Sequence, residues 1–267
     1  MVITIINDCK DRNAEGRQVA RASSLFACPV NFVSVSSNLD EFSTLEASGN
    51  ILDIFDAMDG REGVLLVNVA PRSGKAKKWE NGTPFCYFFY DKMLVVASID
   101  GFVLSLVKKF GLVDFVNLMD IPVVLEEMIE KKYISENLKN HITNTQFRSF
   151  DFVPRVAKYI YDNKSANSKK VSISEIADAP KTVWWVDNFG NCKTTLLKED
   201  LDIDDEGFVN LKIGKIKFYE KLKDVPNGEP ALIVGSSGLG ENRFVEIVLQ
   251  GKRADKSFNI SVGSDIL

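Results

Sequence analysis

The pattern of apolar residues changes character once along this chain, and that change constrains the fold more than any other feature of the sequence. Before Tyr161, strand-like segments alternate with segments of helical spacing; after it come only short strand-like runs divided by glycine and asparagine turns. Residues 2–6 read as a first strand. Residues 11–26 put Val19, Ala22 and Phe26 on one helical face. Residues 30–35 are β-branched and apolar, and 40–57 have helical character in spite of Gly49. The run 63–69 is of the kind that parallel sheets bury on both faces. Residues 85–90 and 93–98 predict a hairpin turned at Asp91-Lys92, and 101–110 and 121–132 predict helices. This alternation predicts an α/β N-terminal domain, residues 1–165, with a mainly parallel sheet.

Residues 162–170 are polar and lack apolar periodicity, so the domain break is expected near 162–172. The runs that follow, at 182–186, 192–196, 208–213, 215–219, 231–234, 245–249 and 258–261, are short and evenly spaced. They predict a small all-β, barrel-like C-terminal domain over 172–267.

Composition removes several classes of function. The 33 basic and 37 acidic residues give a net charge of −4, which carries no footprint for a nucleic-acid backbone. Apolar runs are of strand length, too short to span a bilayer. The opening Met-Val-Ile-Thr-Ile-Ile-Asn-Asp lacks a basic leader segment, and a cytoplasmic location is expected. The four cysteines form no C-x-x-C pair, so neither a disulfide framework nor a metal site is expected. His141 is the single histidine and follows a polar run, a surface-helix position rather than a catalytic one. Chemistry here is expected to proceed without imidazole, metal or cofactor.

Several loops stand at predicted strand ends, where open α/β sheets bind ligands. Asp8 follows the first strand and reads either as a ribose-hydroxyl acceptor or as a helix N-cap. Ala70-Pro71-Arg72-Ser73-Gly74 follows the run 63–69. Phe147-Arg148-Ser149-Phe150-Asp151 reads as a pocket lining or as the start of a helix capped by Ser149. Val186-Asp187-Asn188-Phe189-Gly190-Asn191 joins two short strands. Asn191 there can offer a donor and an acceptor to a purine edge, or serve a plain hairpin turn. Gly235-Ser236-Ser237-Gly238 follows another strand, where backbone N–H groups could meet a carboxylate. It is not a phosphate loop, because no Lys-Ser/Thr and no helix follow it.

Taken in order, these loops resemble those of the SAM hydroxide adenosyltransferase family, to which the SAM fluorinases and chlorinases also belong. Ile-Asn-Asp8 resembles its first-strand Thr/Ser-Asp, and Ala70-Pro71-Arg-Ser73-Gly74 its Asp-Pro-Gly-Val-Gly loop. Ala97-Ser-Ile-Asp100-Gly101 is similar to Ala-Pro-Asp-Asn-Gly, and Phe147–Asp151 to Phe-His-Gly-Arg-Asp. Asp187-Asn-Phe189-Gly190-Asn191 matches Asp-Arg-Phe-Gly-Asn closely, and Ser236-Ser237-Gly238-Leu239 resembles Ser-Ser-Gly-Leu. The matches run from residue 3 to about residue 251.

The resemblance implies binding of S-adenosylmethionine (SAM) and attack on its C5′ by water or halide, with methionine leaving. It implies that Asp8 holds the ribose hydroxyls, Asp187 the methionine amino group and Asn191 the adenine. Ser236 and Ser237 would lie near the methionine carboxylate. Gly251 would offer its backbone to adenine, and Tyr219 or Phe218 would stack on it. Phe42, Phe147 and Phe189 would flank the ligand. The hydrolase Asp-Arg-His set is replaced by Ala70, Lys77 and Arg148. Ser73 and Ser149 stand where halogenases place polar groups, with Lys77 and Arg148 beside them. The implied function is adenosyl transfer to water on an altered catalytic set, with a non-catalytic SAM or adenosine binder, or a halide adenosyltransferase, as alternatives. The family's homotrimers, with a site shared between neighbouring subunits, are the implied assembly.

Overall fold

The structure, a computed structural model, describes residues 1–37, 41–71 and 82–267. Contacts divide the chain into two units. The first comprises Met1–Ile51 and Met58–Ala177; the second comprises Leu52–Ala57 and Asp178–Leu267.

In the first unit a seven-stranded sheet has the order β2-β1-β3-β5-β4-β6-β7. Its strands are β1 (Val2–Asn7), β2 (Val30–Ser34), β3 (Gly63–Asn68), β4 (Phe85–Tyr90), β5 (Met93–Ser98), β6 (Phe115–Met119) and β7 (Lys169–Ser172). Strands β2, β1, β3 and β5 pair in parallel. Strands β4, β6 and β7 add on antiparallel. The sheet is therefore mixed, not mainly parallel as expected. The 91–92 turn sends β4 and β5 in opposite directions, and β6 pairs with the free edge of β4.

Around this sheet lie α1 (Arg12–Phe26), α2 (Phe42–Met58), α3 (Ser105–Lys109), α4 (Ile121–Glu130), α5 (Glu136–Thr143), α6 (Arg148–Asp151) and α7 (Val153–Asn163). Asp11 is the cap of α1 and accepts from the N–H groups of Asn13 and Ala14, each at 3.1 Å. Its carboxylate does the capping that was the alternative role for Asp8. Helix α7 was not anticipated. It buries Val156, Ala157, Tyr159 and Ile160 at a spacing that repeats every three to four residues.

The helix expected at 101–110 is reduced to α3. Gly101 has φ +58°, and an added Cβ would meet Thr44 Oγ1 at 2.6 Å, so the chain turns before it coils. Thr44 Oγ1 accepts from the Phe102 N–H at 2.8 Å, and Ser48 Oγ accepts from the Leu106 N–H at 3.0 Å. The break expected near 162–172 also lies elsewhere. Lys169–Ser172 form β7 on the open edge of β6, so the first unit runs on to Ala177.

The second unit is a six-stranded sheet in the order β10-β11-β12-β13-β9-β8. Its strands are β8 (Val183–Val186), β9 (Cys192–Leu197), β10 (Phe208–Leu211), β11 (Gly214–Tyr219), β12 (Pro230–Leu239) and β13 (Asn242–Leu249). Strands β8 and β10 stand at its two ends, so the described pairing is that of an open sheet rather than a closed barrel. The strand expected at 258–261 is absent: α8 (Ala254–Phe258) ends there on left-handed Asn259. One face of the sheet packs Val183, Cys192, Leu196, Leu232, Val245 and Ile247. The other carries a smaller cluster of Val225, Ala231, Ile233 and Val248, with Tyr219 against it.

Candidate functional site

Strand polarity in the first unit brings one rim of the sheet together. The C-terminal ends of β1, β3 and β5 meet there with the start of β4, the end of β6 and the start of β7. Asp8, Ala70 and Asp100 lie on the parallel part of this rim, as the sequence predicts. Asp8 is 4% exposed and Asp100 5%. Asp100 accepts from the Gly101 N–H at 2.9 Å and from Thr83 Oγ1 at 3.3 Å. On the antiparallel part a cavity of about 820 Å³ is lined by Gly82, Pro84, Asp120, Asn144, Arg148 and Lys169, among others.

Phe147, Arg148 and Ser149 open α6. Phe147 rather than Ser149 is the capping residue, and its side chain makes no capping bond. Ser149 lies inside the helix turn, 5% exposed. Its hydroxyl has no hydrogen-bond partner among the described residues. Arg148 donates from Nη1 to the Thr83 carbonyl at 3.3 Å, and burial lowers its pKa. Phe147 stacks on Phe150 at 5.6 Å, with the Arg17 guanidinium 5.0 Å from the Phe147 ring. Asp151 anchors the turn. It accepts from Thr145 Oγ1 at 2.6 Å and lies 3.7 Å from both Arg21 and Arg155. His141 Nε2 is 3.4 Å from the same carboxylate, on α5, with 63% of its side chain exposed. Phe42 begins α2 and stacks on Phe102 at 6.3 Å. Ser73 and Lys77 lie outside the described residues.

In the second unit the Asp187–Asn191 turn is internally bonded. Asp187 Oδ1 accepts from the N–H groups of Phe189 (2.8 Å) and Asn191 (2.9 Å), and Oδ2 accepts from Asn191 Nδ2 at 3.0 Å. Gly190, at φ +88°, brings its carbonyl to the Asp255 N–H at 3.0 Å. Arg253 grips Asp255 through Nε (3.0 Å) and Nη2 (2.9 Å), and donates Nη1 to the Asn188 carbonyl at 2.8 Å. Phe189 projects from this clamped turn with 71% of its surface exposed. Asp187 and Asn191 are thus held in mutual register by the bonds of the turn itself.

Tyr219, Ile233, Glu246 and Lys193 are successive cross-strand partners, so their side chains share one face of the sheet. Phe218 instead packs on the opposite face, with the larger core cluster, so the two aromatics lie on different faces of the sheet. Gly251 has φ +78°, and an added Cβ would meet Asn227 Oδ1 at 2.7 Å.

The loop expected at 235–238 is not a loop. Strand β12 continues through it, with its register shifted between Val234 and Gly238. Ser236 is exposed on this bulge, and its carbonyl accepts from Arg243 Nη1 at 3.0 Å. Ser237 is buried and donates its hydroxyl to Asp53 Oδ2 at 2.9 Å; the Gly238 N–H donates to Asp53 Oδ1 at 3.0 Å. Lys193 Nζ donates to Ser237 Oγ and lies 3.9 Å from Asp53 Oδ2. Glu246 is 6% exposed, and its Oε1 has no hydrogen-bond partner among the described residues. Burial raises the pKa of both Asp53 and Glu246, and in each case the Lys193 charge opposes the rise.

Asp53, Lys193, Glu246, Arg253 and Asp255 did not emerge from the sequence. For Asp53 and Glu246 a signal existed: each is an acid set inside an apolar run, Ile51-Leu52-Asp53-Ile54-Phe55 and Phe244-Val245-Glu246-Ile247-Val248. The buried Cys86 and Cys192 thiols are pushed up to about 12 by burial, which keeps them protonated. Among the described residues no cluster of three or more His, Cys, Asp or Glu could hold a metal. None of the described helices is long and apolar enough to cross a membrane.

Comparison with known proteins gives three results. Residues 181–267 match the SAM hydroxide adenosyltransferase C-terminal domain. A search of curated proteins finds no match. Among solved structures, the whole chain is similar to an uncharacterized conserved protein from Thermotoga maritima (17% identity, TM-score 0.65, 100% of each chain covered). It is also similar to a conserved hypothetical protein from Thermus thermophilus (17% identity, TM-score 0.53, covering 98% of this chain and 96% of that one). At that identity the two structures share the fold. The clamped Asp187–Asn191 turn and the bulged β12 both lie within the matched residues, so residues 181–267 carry the domain described as the C-terminal domain of SAM hydroxide adenosyltransferases.

Proposed function

We propose that this protein binds the adenosyl part of a sulfonium such as SAM and transfers it to water. The observation that carries this reading is the Asp187–Asn191 turn, internally bonded and clamped by Arg253 and Asp255 within the family's own domain. A prefixed turn offers its remaining donor and acceptor capacity to a purine without further ordering cost. Asn191 and Tyr219 serve the adenine in this reading, with Gly251 lending its backbone. Asp8, buried at the strand rim of the first unit, serves the ribose.

In the reaction the water oxygen forms a bond to C5′ while the C5′–S bond breaks. The bonding electron pair leaves on sulfur as a neutral thioether, and the water proton passes to solvent. No acid is needed at the leaving group, so catalysis consists of aligning and desolvating the water. The unpartnered Ser149 hydroxyl is the group suited to orient it, with Arg148 beside it. Phe42, Phe147 and Phe189 supply apolar walls.

A second reading, binding without turnover, is favoured by Ala70 at the position of the family aspartate and Arg148 at that of its histidine. A water that meets neither a carboxylate nor an imidazole loses a general-base contribution of roughly 10²–10⁴ in rate. The test combines calorimetric titration with adenosine and mass spectrometry of products from SAM, with and without chloride. Release of adenosine and methionine supports transfer to water; a 5′-chloro product assigns halide as the nucleophile; binding without product supports the second reading. If neither adenosine nor SAM binds at millimolar concentration, the reading is wrong. Asn191→Ala should weaken adenosine binding at least tenfold.

A further inference from the structure

In the bulge of β12, two of the donors expected near a ligand carboxylate, those of Ser237 and Gly238, are already occupied by a carboxylate of the protein itself. The Ser237 hydroxyl and the Gly238 N–H both donate to Asp53, at 2.9 and 3.0 Å. Lys193, the ammonium at this position, bonds Ser237 and lies 3.9 Å from Asp53. The donors that follow are occupied as well. The Gly240 N–H donates to Asp56 at 3.1 Å, and Arg243 grips Asp56 through both terminal nitrogens, at 2.8 and 3.0 Å. Asp53 and Asp56 are three residues apart on α2 and therefore present their carboxylates from one helix face.

The residual charge points the same way. Asp53, Asp56 and Glu246 face two cations, Lys193 and Arg243. Glu246 is more than nine-tenths buried and keeps one oxygen without a partner among the described residues. A second carboxylate brought to this bulge would meet like charge and no unoccupied donor from Ser237, Gly238 or Gly240. An adenosyl group with an uncharged or amine-bearing tail would meet neither obstacle.

Resting on the adenosyl reading above, we propose that Asp53 is a specificity-determining residue. It fills the Ser237 and Gly238 donors of the β12 bulge and adds its own charge there, so that the adenosyl compound this protein takes carries no carboxylate on its tail. The substrate class is then an adenosyl sulfonium with an amine-terminated tail, and adenosine itself is a competent ligand.

The experiment is calorimetric titration of the full chain with adenosine, SAM and the decarboxylated sulfonium of SAM. Wild type should bind adenosine and the decarboxylated sulfonium at least as tightly as SAM. Asp53→Ala uncovers Ser237 Oγ–H, Gly238 N–H and Lys193, so SAM should gain at least tenfold on adenosine. Adding Ser237→Ala should remove most of that gain. If Asp53→Ala does not fold, Asp53→Asn carries the test, since it removes the charge but keeps the side chain; SAM should then gain at least threefold. The inference is overturned if wild type prefers SAM to adenosine by tenfold or more, or if the ratio is unchanged in a folded Asp53 variant. In both cases adenosine still binds and the adenosyl reading survives, whereas loss of all adenosine binding in wild type takes both down.

Discussion

Replacing Gly235 by alanine tests the packing of the second unit at its most crowded point. A Cβ built on Gly235 would stand 2.3 Å from Glu246 Oε1 and 2.6 Å from both its Cδ and Cγ. Ordinary contacts need about a further ångström. Glu246 would have to swing away, yet it is 6% exposed and cross-strand partner to both Lys193 and Ile233. Overpacking of this kind costs about 1–3 kcal/mol. Gly235 is not among the glycines with positive φ, so alanine also recovers about 0.4–1 kcal/mol by restricting the unfolded chain. A net loss of up to about 2.6 kcal/mol follows. In a Glu246→Ala background the obstruction is gone and the same replacement should be neutral or mildly stabilising. The coupling between the two sites should therefore be at least about 1 kcal/mol. Urea unfolding followed by tryptophan fluorescence reads this directly. Of the three tryptophans, Trp184 and Trp185 lie in β8, so a Trp79→Phe background confines the signal to the second unit. Equal cost of Gly235→Ala in both backgrounds would refute the argument that Glu246 is what excludes a side chain there.

Two further outcomes follow from the same structure. Asp11→Ala removes the acceptor of two N–H groups at the start of α1 and should lower stability by about 1 kcal/mol, measured by chemical denaturation, while Asp11→Asn should recover most of it. The Asp56 carboxyl has its pKa lowered, first of all by its hydrogen bonds from Arg243. Its contribution to stability is therefore complete above the ordinary aspartate value of 3.8 and is lost as pH falls through the lower folded value. Arg243→Met should flatten that acid limb of the stability profile and cost about 1 kcal/mol at neutral pH, the range for a partly exposed pair. An unchanged acid limb would contradict the assignment.

Short-range features were legible in the sequence because their causes lie within a few residues. The hairpin of β4 and β5 forms at its expected residues, whereas the cap of α1 falls on Asp11 and not on Asp8. The Asp187–Asn191 turn bonds to itself across four residues, which is why residue order and spacing suffice to mark it as a unit. The strands of both units were placed mainly by apolar content and turn residues. Where the sequence misled, the deciding partner was distant. The helical pattern begins late because Gly101 takes a left-handed turn with Thr44 in the space beside it. The end of the polar stretch expected as a linker, Lys169 and Lys170, enters β7 because β6 leaves an open edge. The Gly235–Gly238 run looks like a turn, yet its neighbour β13 keeps it in the sheet.

By itself, then, the sequence determined the two kinds of architecture, the strand-end loops and the Asp187–Asn191 turn. Local periodicity and bonds spanning two to four residues are enough for these. Tertiary structure alone decided the mixed polarity of the first sheet and the open order of the second. It also decided that Asp53, 184 residues before Ser237, takes the Ser237 hydroxyl and the Gly238 N–H. No pattern of spacing encodes that choice. It depends on which donors are left without a backbone partner once the strands have paired, and on which carboxylate burial then brings within reach of them.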